Sequence, residues 1–386
     1  MSISIITFAN LGKKTNIPTV DIAPVIDVFA RQGELDRVIC QVRKDFYFPG
    51  TISAVPTLIH YGIRAFERIT GLSFPRSFLE ALFDFFAQWK IPHSDAALFH
   101  GGYFLPRTFR RAQRNKTVTI DLTRTAHIAT NAKLEQEELS ALQIPHYQGI
   151  FTRLYHKHEH YGEFDYIIAL SDFVKRSYIE QRYPVERIFV AQPDVDTRRF
   201  TPALGKDSVC RVLYVGYTTP LKGLHYLLDA WESLSLQEAE LVLVGGYGDM
   251  PQELKLRYKE RVSRDARIKW IASTDMPERY YHDASIFVFP SLTEGFGRVT
   301  LEAMASGLPV ITTENARGIV EDGKTGFVVP VRDAKALAEK IRYLYDHRDV
   351  VREMGREARK AVEAKKPFGE AVYEIYREIL RREHKL

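Results

Sequence analysis

The stretch PSLTEGFGRVTLEAMASGLPV, residues 290–310, places Glu294 in a turn bearing Gly295 and Gly297, and Glu302 just inside the helix pattern that starts after the turn. The run before it, IFVF, is apolar and β-branched or aromatic. The run after it, PVITT, is again strand-like. Strand, glycine turn, helix and strand in that order make one βα unit of a parallel sheet. A carboxylate on each side of a glycine turn is either a solvated connection or the wall of a ligand site, and the rest of the chain decides between them.

Beyond this stretch, the C-terminal half repeats the same unit. Strand patterns fall at residues 211–216, 240–245, 268–272, 286–291, 309–313 and 327–329. Helical patterns fall at 221–234, 252–262 and 277–282. After residue 330 three helices are expected, at 333–346, 349–364 and 368–383. The N-terminal half gives strand patterns at 3–8, 37–42, 96–99, 117–121, 166–171 and 188–191. Residues 78–89 carry Phe and Leu on more than one face and are expected to be largely buried. The halves meet near residues 193–208, a stretch with Pro, Asp and Gly and weak periodicity. The expected class is α/β. A first Rossmann-like doubly wound domain covers residues 1–196, a second covers 197–366, and a last helix, 367–386, crosses back to the first.

Composition sets outer limits. The chain has 386 residues, 45% hydrophobic and 27% charged, which suits two globular domains with real cores. A formal net charge of +5 fits a binder of small anions or of an anionic surface, and no nucleic-acid reading module accompanies it. Cys40 and Cys210 each sit in an apolar strand pattern, as buried thiols do in a reducing compartment. The N-terminus lacks the basic start and cleavage pattern of a leader and reads as a first strand. No run approaches the roughly 18 apolar residues that span a bilayer. The expected location is cytoplasmic, with a peripheral membrane contact through an arginine stripe at residues 107–114.

The opening stretch has the chemistry of a phosphate and sugar site. Gly295 and Gly297 let the backbone approach a ligand closely. A helix that begins at Gly297 or Arg298 offers unpaired N–H groups and the positive end of its dipole to a phosphate. Carboxylates accept hydrogen bonds from sugar hydroxyls, so Glu294 and Glu302 are placed to hold two sugars of one extended ligand. Lys222, beside Gly223 after a strand, supplies fixed positive charge; without that strand and glycine it would read as a solvated lysine at a helix start.

These residues resemble the Glu-x7-Glu region of retaining glycosyltransferases of family 4, which have the GT-B fold. The resemblance extends to YVGYTTPLKGLHYLLDAW (214–231), to DYIIALSDFVKRSYIEQRYPVERIFVAQPDVDTRRF (165–200) and to GIVEDGKTGFVVPVRDAKALAEKI (318–341). It covers roughly the second half of the chain, with a weaker match back to about residue 117. It implies two Rossmann-like domains facing each other across a cleft and transfer of a sugar with retention, with no obligatory cofactor or metal. The donor would be a UDP- or GDP-sugar and the acceptor a hydroxyl of a glycan, a lipid-linked glycan or a small molecule. Glu302 would bind ribose hydroxyls and Glu294 the donor sugar. Lys222 and the backbone at Arg298, Val299 and Thr300 would hold the diphosphate. Gly216, Tyr217, Gly295, Phe296, Gly297 and Ile271 would line the donor site, with the base near Ile271. His127, in RTAHI (124–128), is the counterpart of a histidine the family carries near the donor sugar.

Three departures accompany the resemblance. Tyr217 stands where the family usually has an arginine, so one diphosphate cation is missing, and Arg298 is the candidate substitute. The hinge reads Pro-Asp-Val-Asp at 193–196 in place of Asn-Gly-Val-Asp. The loop after the first strand, residues 9–16, has only Gly12 where a glycine pair is usual. A catalytically silent sugar-nucleotide-binding protein, a GT-B nucleotide-sugar epimerase and a pyridoxal-phosphate-dependent phosphorylase of related fold are the competing readings.

Three other patterns bear on metal and surface binding. HKHEH, residues 156–160, has three histidines, but i, i+2, i+4 spacing does not put them on one helix face, which argues against a metal site. Asp194-Val195-Asp196 falls in the linker and reads as hinge structure. Arg107, Arg110, Arg111 and Arg114 follow Pro106 at i, i+3, i+4, i+7, one face of a helix. That stripe is a solvated face or a contact to an anionic membrane surface or phosphate-bearing acceptor.

Overall fold

A computed structural model of the chain describes residues 1–11, 17–43, 51–74, 76–101, 105–157, 164–203 and 209–385. Gly12 of the first loop and His158 and His160 of the HKHEH segment lie outside them. The chain divides into two compact units. The first comprises Met1–Arg124, His158–Pro193 and Lys366–Leu386. The second comprises Thr125–Lys157 and Asp194–Lys365.

Among the described residues, the first unit is built on seven parallel strands: β1 (Ile3–Leu11), β2 (Leu35–Arg43), β3 (Thr51–Ser53), β4 (Ala96–His100), β5 (Val118–Thr123), β6 (Tyr166–Ala169) and β7 (Ile188–Val190). Their order is β3-β2-β1-β4-β5-β6-β7. Every residue of β4, β5 and β6 is buried, as expected of strands covered on both faces. The helices of this unit are α1 (Ile17–Arg31), α2 (Thr57–Thr70), α3 (Arg76–Ala87) and α4 (Pro106–Arg114); α5 (Ile128–Ala141) and α6 (Ile150–Lys157) come next in the chain but pack in the second unit; α7 (Asp172–Glu180) returns to the first.

The second unit has six parallel strands among the described residues: β8 (Cys210–Val215), β9 (Ala239–Val244), β10 (Ile268–Ile271), β11 (Ile286–Phe289), β12 (Val310–Thr313) and β13 (Gly326–Val329). Their order is β10-β9-β8-β11-β12-β13. Its helices are α8 (Leu224–Glu232), α9 (Gln252–Arg264), α10 (Glu278–Asp283), α11 (Arg298–Ala305), α12 (Ala334–Asp346) and α13 (Arg348–Glu363). α14 (Phe368–Arg382) closes the chain and packs on α1. Gly369 makes that packing close: a Cβ there would sit 2.4 Å from the Pro24 carbonyl oxygen. Phe29 meets the Tyr373 and Tyr376 rings edge-on at 5.3 and 4.9 Å.

Two expectations need correction. The three-residue strand β3 was too short to leave a pattern. Residues 78–89 are not largely buried: Phe83 is sealed in the core, but Phe78, Phe85 and Trp89 are exposed. Apolar residues on two helix faces imply two covered faces, and here one face of α3 has no cover among the described residues.

Candidate functional site

In both sheets the chain runs outward in one direction from a central strand and then in the other from its neighbour. In the second unit that reversal falls between β8 and β11. Connections leaving the carboxyl ends of those strands diverge to opposite faces and leave a crevice between them, where ligands of open α/β sheets bind. The two connections that leave here are residues 216–223 and 290–297. They carry Lys222 and Glu294.

The connections approach each other closely. Gly223 has φ +66°, and a Cβ there would lie 2.1 Å from the Pro290 carbonyl oxygen, so no other residue fits without backbone movement. The Leu292 amide donates to the Leu221 carbonyl at 2.8 Å. Lys222, which ends the short 3-10 turn Pro220–Lys222, is thereby held opposite the loop and forms an ion pair with Glu294 Oε1. Its ammonium also lies 5.7 Å from the centre of the Phe289 ring. The buried Ser291 hydroxyl has one proton to give. It lies 3.0 Å from the Thr293 carbonyl, and 3.2 Å from both the Leu221 carbonyl and Glu294 Oε1.

Gly297 follows with φ +79°, a left-handed conformation suited to glycine, and turns the chain into α11. Phe296 is buried beneath the turn. The start of α11 is not wholly open. The Thr300 amide and hydroxyl both donate back to the Gly297 carbonyl, at 2.8 and 2.7 Å. The amides of Arg298 and Val299 lie ahead of that closure. One turn on, Glu302 accepts a hydrogen bond from the Tyr281 hydroxyl at 2.8 Å. Burial raises the Glu302 carboxyl above the usual carboxylate range, and Tyr281, Arg298 and Arg199 oppose the rise only in part.

His127 joins this site through α5. It is the N-cap of that helix, its Nδ1 accepting from the Ala129 amide at 3.2 Å. With Nδ1 used as acceptor, Nε2 carries the proton of the neutral ring. Burial lowers the imidazole pKa to about 4, so the ring is neutral near pH 7. Asn131, one turn on, donates to the Ala126 carbonyl at 2.8 Å and accepts from the Thr293 hydroxyl at 2.6 Å. The turn that carries His127 is thus tied to the residue before Glu294.

A second tie lies further along α5. Glu138 receives Arg332 Nε at 2.8 Å and the Tyr226 hydroxyl at 2.9 Å, and lies 2.6 Å from His225 Nε2. Burial pushes this carboxyl up, but those partners outweigh it and hold it below the usual range.

The structure therefore brings Lys222, Glu294, Glu302, Gly295–Gly297, the start of α11 and His127 into one unit. Gly216 directly follows β8, its amide donating to the Val244 carbonyl, and Tyr217 beside it is exposed. Ile271 lies at the carboxyl end of β10, half-buried, with its carbonyl taken by the Gly245 amide at 2.9 Å. Asp194 pairs with Lys365 at 2.9 Å, and Asp196 accepts from the Arg198 amide at 3.0 Å. Both carboxylates are thus taken up by a cation or an amide. Sequence reasoning missed Asn131, Thr293 and Tyr281. Neither Asn131 nor Tyr281 carried a local signal; only the fold brings them to Thr293 and Glu302.

Residues 210–347 match the family model described as Glycosyl transferases group 1. The capsular polysaccharide biosynthesis glycosyltransferase CapM of Staphylococcus aureus is 32% identical over 157 residues, which are 39% of this chain and 41% of that protein. The chain spans about half the length of the curated relatives it matches. Among solved structures, sucrose-phosphate synthase from Thermosynechococcus elongatus superposes with a TM-score of 0.73 at 20% identity, covering 99% of each chain. Anabaena Alr3699/HepE, crystallised with UDP-glucose, superposes with a TM-score of 0.65 at 15% identity, covering 98% of this chain and 99% of that one. These likenesses establish the fold: two Rossmann-like halves of the GT-B kind.

Proposed function

We propose, given that residues 210–347 match the family model of group 1 glycosyltransferases, that the protein moves a sugar from a nucleotide-diphospho-sugar to a hydroxyl acceptor. The observation that carries this reading is the joining of Lys222 and Glu294 across the switch point of the second sheet, with the α11 N-terminus directly after them. A diphosphate leaving group gathers negative charge as the glycosidic bond breaks. A fixed ammonium and a helix start stabilise that charge where it develops.

In this reading Glu302 accepts the ribose hydroxyls, and Glu294 accepts hydroxyls of the donor sugar. Lys222 and the amides of Arg298 and Val299 meet the diphosphate between them. Donor binding redistributes the Lys222–Glu294 pair: the ammonium turns to phosphate oxygens while the carboxylate takes up sugar hydroxyls. Neutral His127 offers an Nε2–H donor near the sugar, a polar contact that adds no cation to an electron-poor anomeric centre. The chain supplies the positive charge itself, in line with a metal-independent reaction that retains configuration. The UDP-glucose held by HepE favours a UDP-sugar among the donors. The acceptor is a glycan or lipid-linked hydroxyl. The exposed arginines of α4 meet an anionic membrane surface, which gives a cytoplasmic protein a peripheral site of action.

A thermal-shift screen of UDP-, GDP- and ADP-sugars tests the reading. One nucleotide class should raise the melting temperature and the others should not. Equal silence across the three would remove the donor assignment.

A further inference from the structure

Of the 17 large apolar side chains exposed among the described residues, 9 fall within residues 58–89. Single exposed apolar residues are ordinary, but a concentration like this marks a contact surface. The residues form faces. On α2, Leu58, Tyr61 and Ile69 share one side of the helix, with Leu58 86% and Ile69 82% exposed. On α3, Phe78 and Phe85 lie seven residues apart on one stripe, which Trp89, 71% exposed, continues. Ring contacts join the two: Phe66 to Phe74 and Phe74 to Phe78, each at 5.1 Å.

Among the described residues, the fully exposed charges beside this surface are basic. Glu80 and Asp84 of α3 are buried. Asp84 is used to cap α4, accepting the Arg107 and Thr108 amides at 3.0 and 2.9 Å. Glu67 is half-buried and receives the Phe74 amide. Arg68 and the four arginines of α4 are exposed. The Arg107 guanidinium sits 5.5 Å from the Phe85 ring centre, so the basic helix adjoins the aromatic stripe directly.

We infer that the α2–α3 face is a membrane-docking surface for a bilayer of anionic lipid. Leu58, Ile69, Leu72 and Trp89 enter the boundary between headgroups and acyl chains. The arginines lie at the level of the lipid phosphates, as in interfacial amphipathic helices. Other occupants fit less well. A second copy laid face to face would set arginines near arginines. Single-stranded nucleic acid would use the aromatic rings and arginines but has no use for exposed Leu58, Ile69 and Leu72. The inference extends the arginine contact of the proposed function to a surface that inserts. It depends only on the first unit, so it stands or falls separately from the transfer reaction.

The test uses the full chain with vesicles of phosphatidylcholine alone and with about a third phosphatidylglycerol. The unsubstituted chain should cosediment with the anionic vesicles. Trp89 emission should shift to the blue there, and the shift should vanish in Trp89→Phe. The triple substitution Leu58→Ser, Ile69→Ser, Leu72→Ser removes only exposed apolar groups, and an unchanged melting temperature will show that it folds. It should lower partitioning about tenfold or more at both low and high salt. Arg110→Ser with Arg111→Ser should weaken binding mainly at low salt. Absence of vesicle binding by the unsubstituted chain would overturn the inference. So would equal binding by the triple variant, or a sedimentation-velocity dimer that the triple variant dissolves.

Discussion

Lys222 and Glu294, 72 residues apart in sequence, form an ion pair across the point where the second sheet reverses its strand order. Both side chains are largely shielded, at 25% and 15% exposure, and each is the other's charge partner. In the proposed reading this pair is a preloaded site, with the ammonium assigned to the diphosphate and the carboxylate to the donor sugar. A ligand entering here must exchange partners with both.

The first prediction concerns the ammonium. Lys222→Ala should lower turnover by about 10²–10³-fold, the scale for losing one electrostatic stabiliser. It should also cost about 1–3 kcal/mol of stability, because it strands a partly buried carboxylate. Lys222→Met combined with Glu294→Gln should recover most of that stability and none of the turnover. Urea melts and initial rates of these variants check this. Turnover within about threefold of the unsubstituted protein would exclude Lys222 from the chemistry.

Asn131 gives a second prediction. It touches no proposed substrate position; it ties the His127 turn to Thr293. Asn131→Ala leaves the Thr293 hydroxyl and the Ala126 carbonyl without their partner and should cost about 1–3 kcal/mol. If its role is positioning, kcat should fall while donor binding by calorimetry changes little. A loss of stability with full activity in the remaining folded protein would make the tie purely structural.

Acid should destabilise the protein over a defined window. His127 has a folded-state pKa of about 4, below its unfolded value near 6.5. Between those values the unfolded chain binds a proton that the folded chain refuses. Stability therefore falls as pH drops from about 6.5 to about 4. Buried His100, lowered to about 3 by burial and by Arg124, adds to the same slope and extends it lower. His127→Asn, which keeps an N-cap, should flatten part of it. Urea titrations at a series of pH values measure the slope directly; an unchanged slope in the variant would contradict the half-buried, neutral ring.

Glu302 behaves in the opposite sense. Its folded-state pKa is raised, so the folded chain holds a proton that the unfolded chain has already released. The stability this gives is fully present below the unfolded value and is lost as pH rises through the folded one. Glu302→Gln retains an acceptor for the Tyr281 hydroxyl and removes the charge. At neutral pH it should raise the melting temperature of the ligand-free protein and weaken the response to donor nucleotide. A variant that gains stability and keeps full nucleotide response would show that the carboxylate charge has no part in binding.

Much of the second unit was legible because its strands and helices alternate at short spacing, and the apolar runs of β8, β9, β11 and β13 end directly at glycine or proline. The Glu294–Glu302 stretch was legible for the same reason: strand, glycine turn and helix are contiguous there. The features that escaped were either tertiary or too short. The pairing of Lys222 with Glu294 depends on Gly223 meeting Pro290, a contact no local pattern encodes. Asn131 and Tyr281 are ordinary helix residues until the fold puts Thr293 and Glu302 beside them. The Phe-rich run of α3 looked buried because periodicity reports which faces are apolar, not what covers them. The four arginines of α4 did read correctly as one exposed face, since Pro106 fixed the helix start and the spacing did the rest.

The proposed function turns on Glu294 and Glu302 holding opposite ends of one nucleotide-sugar. Calorimetric binding of UDP and of a UDP-sugar to the unsubstituted protein, to Glu302→Ala and to Glu294→Ala measures this. Glu302→Ala should weaken both ligands, about tenfold or more, because both contain the ribose. Glu294→Ala should weaken the UDP-sugar but leave UDP unchanged or tighter, since it frees Lys222 for the diphosphate. Equal weakening of both ligands by Glu294→Ala, or no effect of Glu302→Ala on either, would contradict that arrangement.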